Sequence, residues 1–469
     1  MRSLYNIAIW FYALAVRVVA IFNPKVRLMW QGERDAYAKI ESGLQEGDRV
    51  VWVHAASLGE FEQGRPLIEK LKRENPEYKI LLTFFSPSGY EVRKNYAGAD
   101  VIAYLPLDTP RNAKRFVELV KPEKVVFVKY EFWLNYLREL RVRGIDTYII
   151  SAIFRENQVF FKWYGGIFRE GLKAFKMMFV QNEESKELLK GIGVENVVVA
   201  GDTRFDRVAD IAAAAKKLEI VERFVGIRNG IPLSPSDSSP NLGEQSREVQ
   251  NGEFLPVLVV GSSWGPDEDL LTRYINERAG RMKMIIAPHE VREERIKELT
   301  GKLTCKWMLY TNAQLSDNIH SQSNLEELNP SVLRTPPLKQ GRNMECRSAL
   351  NDADVLVVNT IGVLSSVYQY GQVAYIGGGF GVGIHNTLEA AAWGMPVVFG
   401  PNYKKFQEAK ELIECGAGWS IKNYEECAKA LDEFFEKNEV ASKAAAEYVA
   451  SHTGATEIIH NAQFTIHNS

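Results

Sequence analysis

A chain of 469 residues, 46% of them hydrophobic, is long enough for two or three domains and can fill their cores. Its formal net charge of -2 gives no global pull toward nucleic acid, although local charge can still matter. The four cysteines, Cys305, Cys346, Cys415 and Cys427, lie far apart and form no metal-ligand pair, which suits a reducing compartment and structural roles.

The first predicted element is Leu4–Phe22, "LYNIAIWFYALAVRVVAIF", which is almost wholly apolar and aromatic. As a helix it would run about 28 Å, close to the ~30 Å of a bilayer core. Arg17 and the aromatics inside it argue against an ordinary span, although a long basic side chain can snorkel to the headgroups. No small-residue cleavage site follows. The segment is read as an uncleaved anchor over residues 1–23 at the inner membrane, single-pass or monotopic, with the globular part on the cytoplasmic side. A buried core helix is the alternative. Within residues 1–34, Arg2, Arg17, Lys25, Arg27 and Arg34 face one acid, Glu33, so this end is basic.

Seven short β-rich runs separated by helical patterns come next: "VVWVHAA", "KILLTFF", "VIAYLPL", "KVVFVKY", "DTYIIS", "MMFVQ" and "VVVAG". That alternation predicts a parallel sheet covered by helices on both faces. The polar, Gly/Pro/Ser-rich stretch at about 228–253 reads as a flexible insertion near a domain boundary. A second βα series follows: "VLVVGSS", "KMIIAPH", "CKWMLYT", "DVLVVN", "VAYIGGG" and "PVVFG". A further polar stretch at about 315–343 interrupts it, and the tail from Tyr424 is predicted helical to near Thr465. The expected fold class is α/β, with two Rossmann-like doubly wound domains, 24–210 and 211–469, whose strand ends line a shared cleft.

Chemistry-bearing residues cluster where strands end. In "HAASLGEFEQGRPLIEKL", Glu60 stands where the strand Val50–Val53 turns into a helix. The bland reading is a first-turn acid favoured by the helix dipole. In "YIGGGFGVGIHNTLEAAAWGMPVVFGP", Gly377, Gly378, Gly379, Gly381 and Gly383 follow a strand and a helix opens after them, a candidate phosphate cradle. Asn386 and Glu389 have the spacing of a cap, while the Glu389 carboxylate could instead accept two ribose hydroxyls. No Walker lysine follows, and the glycine spacing differs from the dinucleotide fingerprint, so ATP hydrolysis and NAD chemistry are disfavoured. "GSSWGPDED" and "APHE" end the first two strands of the second half and offer Ser262, Ser263 and the His289 backbone to a base or phosphate, with helix capping as the rival role for His289. Asp352 and Asp354 superficially form a DxD pair but precede a strand, so no metal is expected.

Taken in order, "HAASLGE", "YLPLD", "VQNEES", "AGDTRFD", "GSSWGPDED", "APHE" and the glycine run resemble the bacterial Kdo transferases of lipopolysaccharide synthesis, over nearly the whole chain. The resemblance implies a GT-B glycosyltransferase. It would move 3-deoxy-D-manno-octulosonate (Kdo) from CMP-Kdo to a lipid A precursor (lipid IVA), with inversion and with no metal or other cofactor. Glu60 then matches the family's proposed general base in His-x-x-Ser-x-Gly-Glu. Glu131 in "KYEFWLNYL" matches the second glutamate of Glu-Thr-Glu-Leu-Trp-Pro, although Lys129 and Leu134 depart from that pattern. Ile153 stands where many members have an arginine, and Arg155 is the candidate replacement. Gly378, Gly379, His385, Asn386 and Glu389, with Ser262, Ser263 and His289, form the expected nucleotide site. The expected partners are CMP-Kdo, the lipid acceptor and the inner membrane surface, with no nucleic acid. Two rival readings stand beside this one: another GT-B transferase or epimerase using a UDP-sugar, and a non-catalytic, membrane-tethered nucleotide-binding protein.

Overall fold

The structure, a computed structural model, describes residues 2–226, 255–314 and 350–464; both polar insertions and Cys346 lie outside the described residues. The chain divides into two compact units, Met1–Arg207 with His452–Ser469, and Val208–Ser451.

The first unit is built on seven parallel strands: β1 (Arg49–His54), β2 (Tyr78–Phe84), β3 (Val101–Tyr104), β4 (Lys124–Val128), β5 (Asp146–Ala152), β6 (Met177–Val180) and β7 (Val197–Val199). Their spatial order is β3-β2-β1-β4-β5-β6-β7. Side chains alternate across the sheet, and both faces are covered. Val50 and Trp52 pack with Leu81, Val125 and Phe127 on one face, whereas Val51 and Val53 pack with Ile80, Leu82 and Val126 on the other. Burial on both faces is why each strand reads as an unbroken apolar run in the sequence.

The second unit repeats the plan with β8 (Val257–Ser263), β9 (Lys283–Pro288), β10 (Trp307–Leu309), β11 (Val355–Val357), β12 (Val373–Ile376), β13 (Val397–Phe399) and β14 (Gly418–Ser420), in the order β10-β11-β9-β8-β12-β13-β14. Six of these are the predicted runs. β14 is additional: it is a three-residue edge strand paired only with β13, and Gly418, Trp419 and Ser420 are all half-buried, so it carries no apolar run.

The tail differs from the expected boundary, which left everything after 210 in the second domain. The helix Ala455–Phe464 returns to the first unit, where Ile459 and Phe464 join the core beside Val51 and Ile80. Asp206 fixes its start by accepting from the Gly454 and Thr456 amides and the Thr456 hydroxyl, each at 2.6 Å. That contact joins residues 248 and 250 positions apart, so no local pattern announces it.

At the other end, the helix Arg2–Phe22 runs into the helix Pro24–Gly43 through Asn23, whose side chain accepts from the Lys25 amide at 2.9 Å. Its inward stripe docks on the first unit. The Tyr5 hydroxyl donates to the buried Asp108 carboxylate at 2.6 Å, and Asn135 Nδ2 donates to Asn6 Oδ1 at 2.9 Å. Arg27 closes the far end by donating to the Ala20 and Ile21 carbonyls. Leu4, Ile7, Trp10, Phe11, Leu14, Val18, Ile21 and Phe22 remain exposed. Ser3–Phe22 is long and apolar enough to cross a membrane, and only 11% of its most apolar window is buried, which overturns the core-helix alternative.

Candidate functional site

The strand order reverses between β1 and β4 in the first unit and between β8 and β12 in the second, where β11 also lies between β10 and β9. The loops leaving those strands at their carboxyl ends diverge there, and open α/β sheets bind ligands in the crevice this creates. Glu60 and Glu131 follow β1 and β4, Ser262, Ser263 and the glycine loop lie at the ends of β8 and β12, and His289 follows the neighbouring β9.

In the first unit, β1 ends at His54 and the helix Leu58–Glu74 begins four residues later, with Glu60 in its first turn. Ser57 is the N-cap residue, yet its side chain bonds no backbone amide; its hydroxyl donates to the Glu60 carboxylate instead. A Cβ at Gly59 would have only Ser57 Oγ near it, at 3.8 Å, so packing within the chain does not demand a glycine there. β4 delivers Glu131, which is 9% exposed. The loop carrying it is held at both ends. Upstream, Lys129 adopts a left-handed φ of 69° and donates its amide to the Ile150 carbonyl at 2.9 Å. A left-handed lysine is uncommon and turns the chain sharply out of the strand. Downstream, the buried Asp108 accepts the Asn135 and Tyr136 amides at 3.1 and 3.0 Å, capping the helix Leu134–Val142 from a different loop. Burial holds the Asp108 carboxyl above the usual carboxylate range, opposed by the Tyr5 hydroxyl and these two amides. Arg155 Nη1 donates to the Tyr130 hydroxyl at 3.2 Å, which brings the candidate replacement arginine beside the Glu131 loop.

In the second unit, the end of β8 carries a left-handed Ser262, with φ 54°. Gly377 presses against it: a Cβ there would stand 2.2 Å from the Ser262 carbonyl oxygen, and one at Gly379 would stand 2.5 Å from Gly400 Cα. At these two positions the glycine is required by close approach of the chain to itself. Gly378, at φ 90°, gives its amide to Asp267 Oδ2 at 2.9 Å. Asp267 is fully buried and also accepts the Trp264 amide and the Tyr375 hydroxyl, each at 2.9 Å, tying the glycine loop to the helix Gly265–Asn276. Burial raises its carboxyl above the usual range against these three donors. The Gly378 amide is thus engaged inside the protein. The amides of Gly379 and Phe380 have no partner among the described residues.

Ser263 is likewise engaged internally. It is 1% exposed, and its hydroxyl donates to Glu268 Oε1 at 3.3 Å, while Glu268 Oε2 accepts from Arg295 Nη2 at 2.8 Å. The left-handed Ser262 breaks the alternation of the strand, the register with β9 shifts between Gly261 and Ser263, and the Ser263 side chain ends up inside. The His289 ring stacks with two others, Trp264 at 4.5 Å and 25° and His385 at 4.5 Å and 24°. Trp264 Nε1 donates to His385 Nε2 at 3.1 Å, so the proton of neutral His385 sits on Nδ1. Burial, then the neighbouring His289, lowers the His385 pKa. The sequence reading missed Trp264 as a site residue, although it stands inside "GSSWGPDED". Asn386 Oδ1 accepts the Leu388 amide at 3.1 Å and Asn386 Nδ2 donates to Glu389 Oε1 at 3.0 Å, so the pair links side chain to side chain at the helix start. Asp354 accepts the Gly280 and Lys306 amides at 2.7 and 3.1 Å, a structural use of the DxD pair. Among the described residues no cluster of three or more His, Cys, Asp or Glu could hold a metal.

Two parallel, doubly wound α/β sheets, each presenting polar groups at its switch point, define the GT-B architecture. Comparison with known proteins narrows the class. Residues 30–207 match the family described as 3-deoxy-D-manno-octulosonic-acid transferase (kdotransferase). The chain is 27% identical to the 3-deoxy-D-manno-octulosonic acid transferase of Aquifex aeolicus (strain VF5), over 84% of this chain and 88% of that one. It is 24% identical to the protein of the same name from Bordetella pertussis, over 95% and 96%. Among solved structures it aligns with a UDP-GlcNAc 2-epimerase from Neisseria meningitidis at 15% identity and a TM-score of 0.49, covering 88% of this chain and 98% of that one. The chain is thus similar to Kdo transferases along most of its length, as its motif series implies.

Proposed function

We propose that this protein is a membrane-bound glycosyltransferase that moves Kdo from CMP-Kdo to a lipid A precursor, lipid IVA, with inversion. The observation that carries this reading is that similarity to Kdo transferases over 84% and 95% of the chain coincides with polar side chains gathered at the switch point of each sheet.

An acceptor hydroxyl must lose its proton as it attacks, and an inverting displacement needs one base on the attacking side. Glu60 is assigned that role, since it is half-buried at a helix start and its hydrogen-bond partner is a hydroxyl donor rather than a cation. Glu131, buried beyond the adjacent strand, orients the acceptor. CMP leaves as a phosphate monoester, and amide donors aimed at it lower the barrier by meeting charge that grows as the bond breaks. The Gly379 and Phe380 amides suit this task; His289, His385 and Trp264 offer ring faces to the base, and Glu389 its carboxylate to the ribose. The helix Arg2–Phe22 serves delivery. Its docked stripe and exposed apolar stripe favour a helix lying in the interface of the inner membrane over one crossing it, with Arg17 also exposed.

The test is to incubate purified full-length protein with CMP-Kdo and lipid IVA in mixed micelles, weigh the products, and titrate CMP, UMP and UDP by calorimetry. A product heavier by Kdo and tighter binding of CMP are expected. Preferential UDP binding without transfer would overturn the reading in favour of a UDP-sugar enzyme.

A further inference from the structure

Behind Glu131 lies a chain of buried groups that the proposed reaction leaves unassigned. Trp52 Nε1 donates to Thr83 Oγ1 at 2.7 Å, Thr83 Oγ1 lies 2.9 Å from His54 Nδ1, and His54 Nε2 lies 3.3 Å from Glu131 Oε2. Trp133 Nε1 donates to that same oxygen at 2.5 Å. Trp52, His54 and Thr83 are each fully buried, and the rings of Trp52, Phe127 and Trp133 surround the imidazole.

The donor inventory permits one arrangement that satisfies every group. Indole N–H can only donate, so the Thr83 oxygen accepts from Trp52. The Thr83 proton then needs an acceptor, and His54 Nδ1 is the one within reach among the described residues. His54 is therefore neutral, with its proton on Nε2, which points at Glu131. The alternative tautomer would leave the Thr83 proton without a partner and set the Nε2 lone pair against a carboxylate oxygen, which is costly for buried groups. The donors run in one direction, from Trp52 through Thr83 and His54 to Glu131.

We infer that His54 is a positioning residue, locked by Thr83 in its Nε2–H form, which with Trp133 pins one oxygen of Glu131 so that the other, Oε1, is left to take the acceptor hydroxyl. This rests on the transfer reaction proposed above. No described group bonds Oε1, whereas Oε2 receives two N–H donors. Glu131 thus has a fixed side and an open side, and the open side faces the acceptor by elimination.

The test uses full-length protein and the transfer assay. His54→Gln keeps an N–H donor at similar length and is expected to retain kcat within about threefold; His54→Phe keeps the ring packing without the donor. For His54→Phe, a loss of ~10²-fold in kcat is expected, the scale of a misplaced reacting group, with KM for CMP-Kdo unchanged. Thr83→Ser should behave as wild type and Thr83→Val should fall with His54→Phe. In wild-type protein with 15N-labelled histidine, His54 should show a protonated Nε2 and a bare Nδ1. Unchanged kcat in His54→Phe, or equal losses in the Gln and Phe variants, would overturn the inference, and so would a protonated Nδ1 in the wild type, which needs no variant to fold. Wild-type protein that transfers no Kdo would instead remove the proposed function itself.

Discussion

Glu60 and Glu389 are both acids in the first turn of a helix, where the dipole alone accounts for their presence. Their side-chain partners differ. Ser57 donates to Glu60 and leaves the backbone amides of its helix uncapped, and Glu389 accepts from the side chain of Asn386, whose oxygen holds the Leu388 amide. Glu60→Gln is expected to lower turnover by roughly 10²–10⁴, about 3–5 kcal/mol of barrier, because glutamine keeps the shape and cannot take a proton. Its CMP affinity and melting temperature should match the wild type, and near-normal transfer would return Glu60 to a helix-start acid. Glu389→Gln should weaken CMP binding with little change in thermal stability, since the amide can still pair with Asn386; calorimetry showing equal affinity would remove Glu389 from the ribose. Asp267 poses a different case. Three donors converge on it, and an asparagine in its place would have to turn its own NH₂ toward one of them. Asp267→Asn is therefore expected to cost about 1–3 kcal/mol and to weaken CMP binding as the glycine loop loses its tie. Denaturant titration beside calorimetry reads both effects.

The helix Arg2–Phe22 has two faces with different duties. Its exposed stripe of Leu4, Trp10, Phe11, Leu14 and Phe22 is suited to lipid, whereas Tyr5 and Asn6 bond to Asp108 and Asn135. Asp108 in turn caps the helix that follows Glu131, so the helix Arg2–Phe22 and the Glu131 loop share a carboxylate. Deleting residues 1–22 is therefore expected to do more than release the protein from membranes. The truncated chain should still bind CMP, because the residues proposed to hold the nucleotide belong to the second unit. It should also melt at a lower temperature and transfer poorly even to acceptor in detergent micelles. Full transfer in micelles would mean that the helix serves delivery alone and that the Asp108 contact carries little of the docking.

Residues from both ends of the chain close the first unit. Ile459 is fully buried beside the core of that unit, so Ile459→Ala is expected to cost about 2–5 kcal/mol there while leaving CMP binding in place. A variant whose denaturation curve matches the wild type would mean the returning helix is loosely held. The two sheets were legible from sequence because strands buried on both faces write themselves as apolar runs, and the turns beyond them write themselves as polar and glycine clusters. Glu60, Glu131 and the glycine loop could be placed at strand ends for the same reason. β14 was not legible, since a half-buried edge strand of three residues has no such run. Nor were the Asp206 cap of the last helix, the Trp264–His289–His385 stack, the Asp267 tie to Gly378 or the inward turn of the Ser263 hydroxyl. The order and type of elements, and which residues stand at strand ends, were written in the chain alone, because periodicity and turn chemistry are short-range properties. Which of those polar groups are already satisfied within the protein and which remain open was settled only by the folded arrangement. Hydrogen-bond partners come from residues distant in the chain, and a buried donor or acceptor takes whichever partner the fold brings to it.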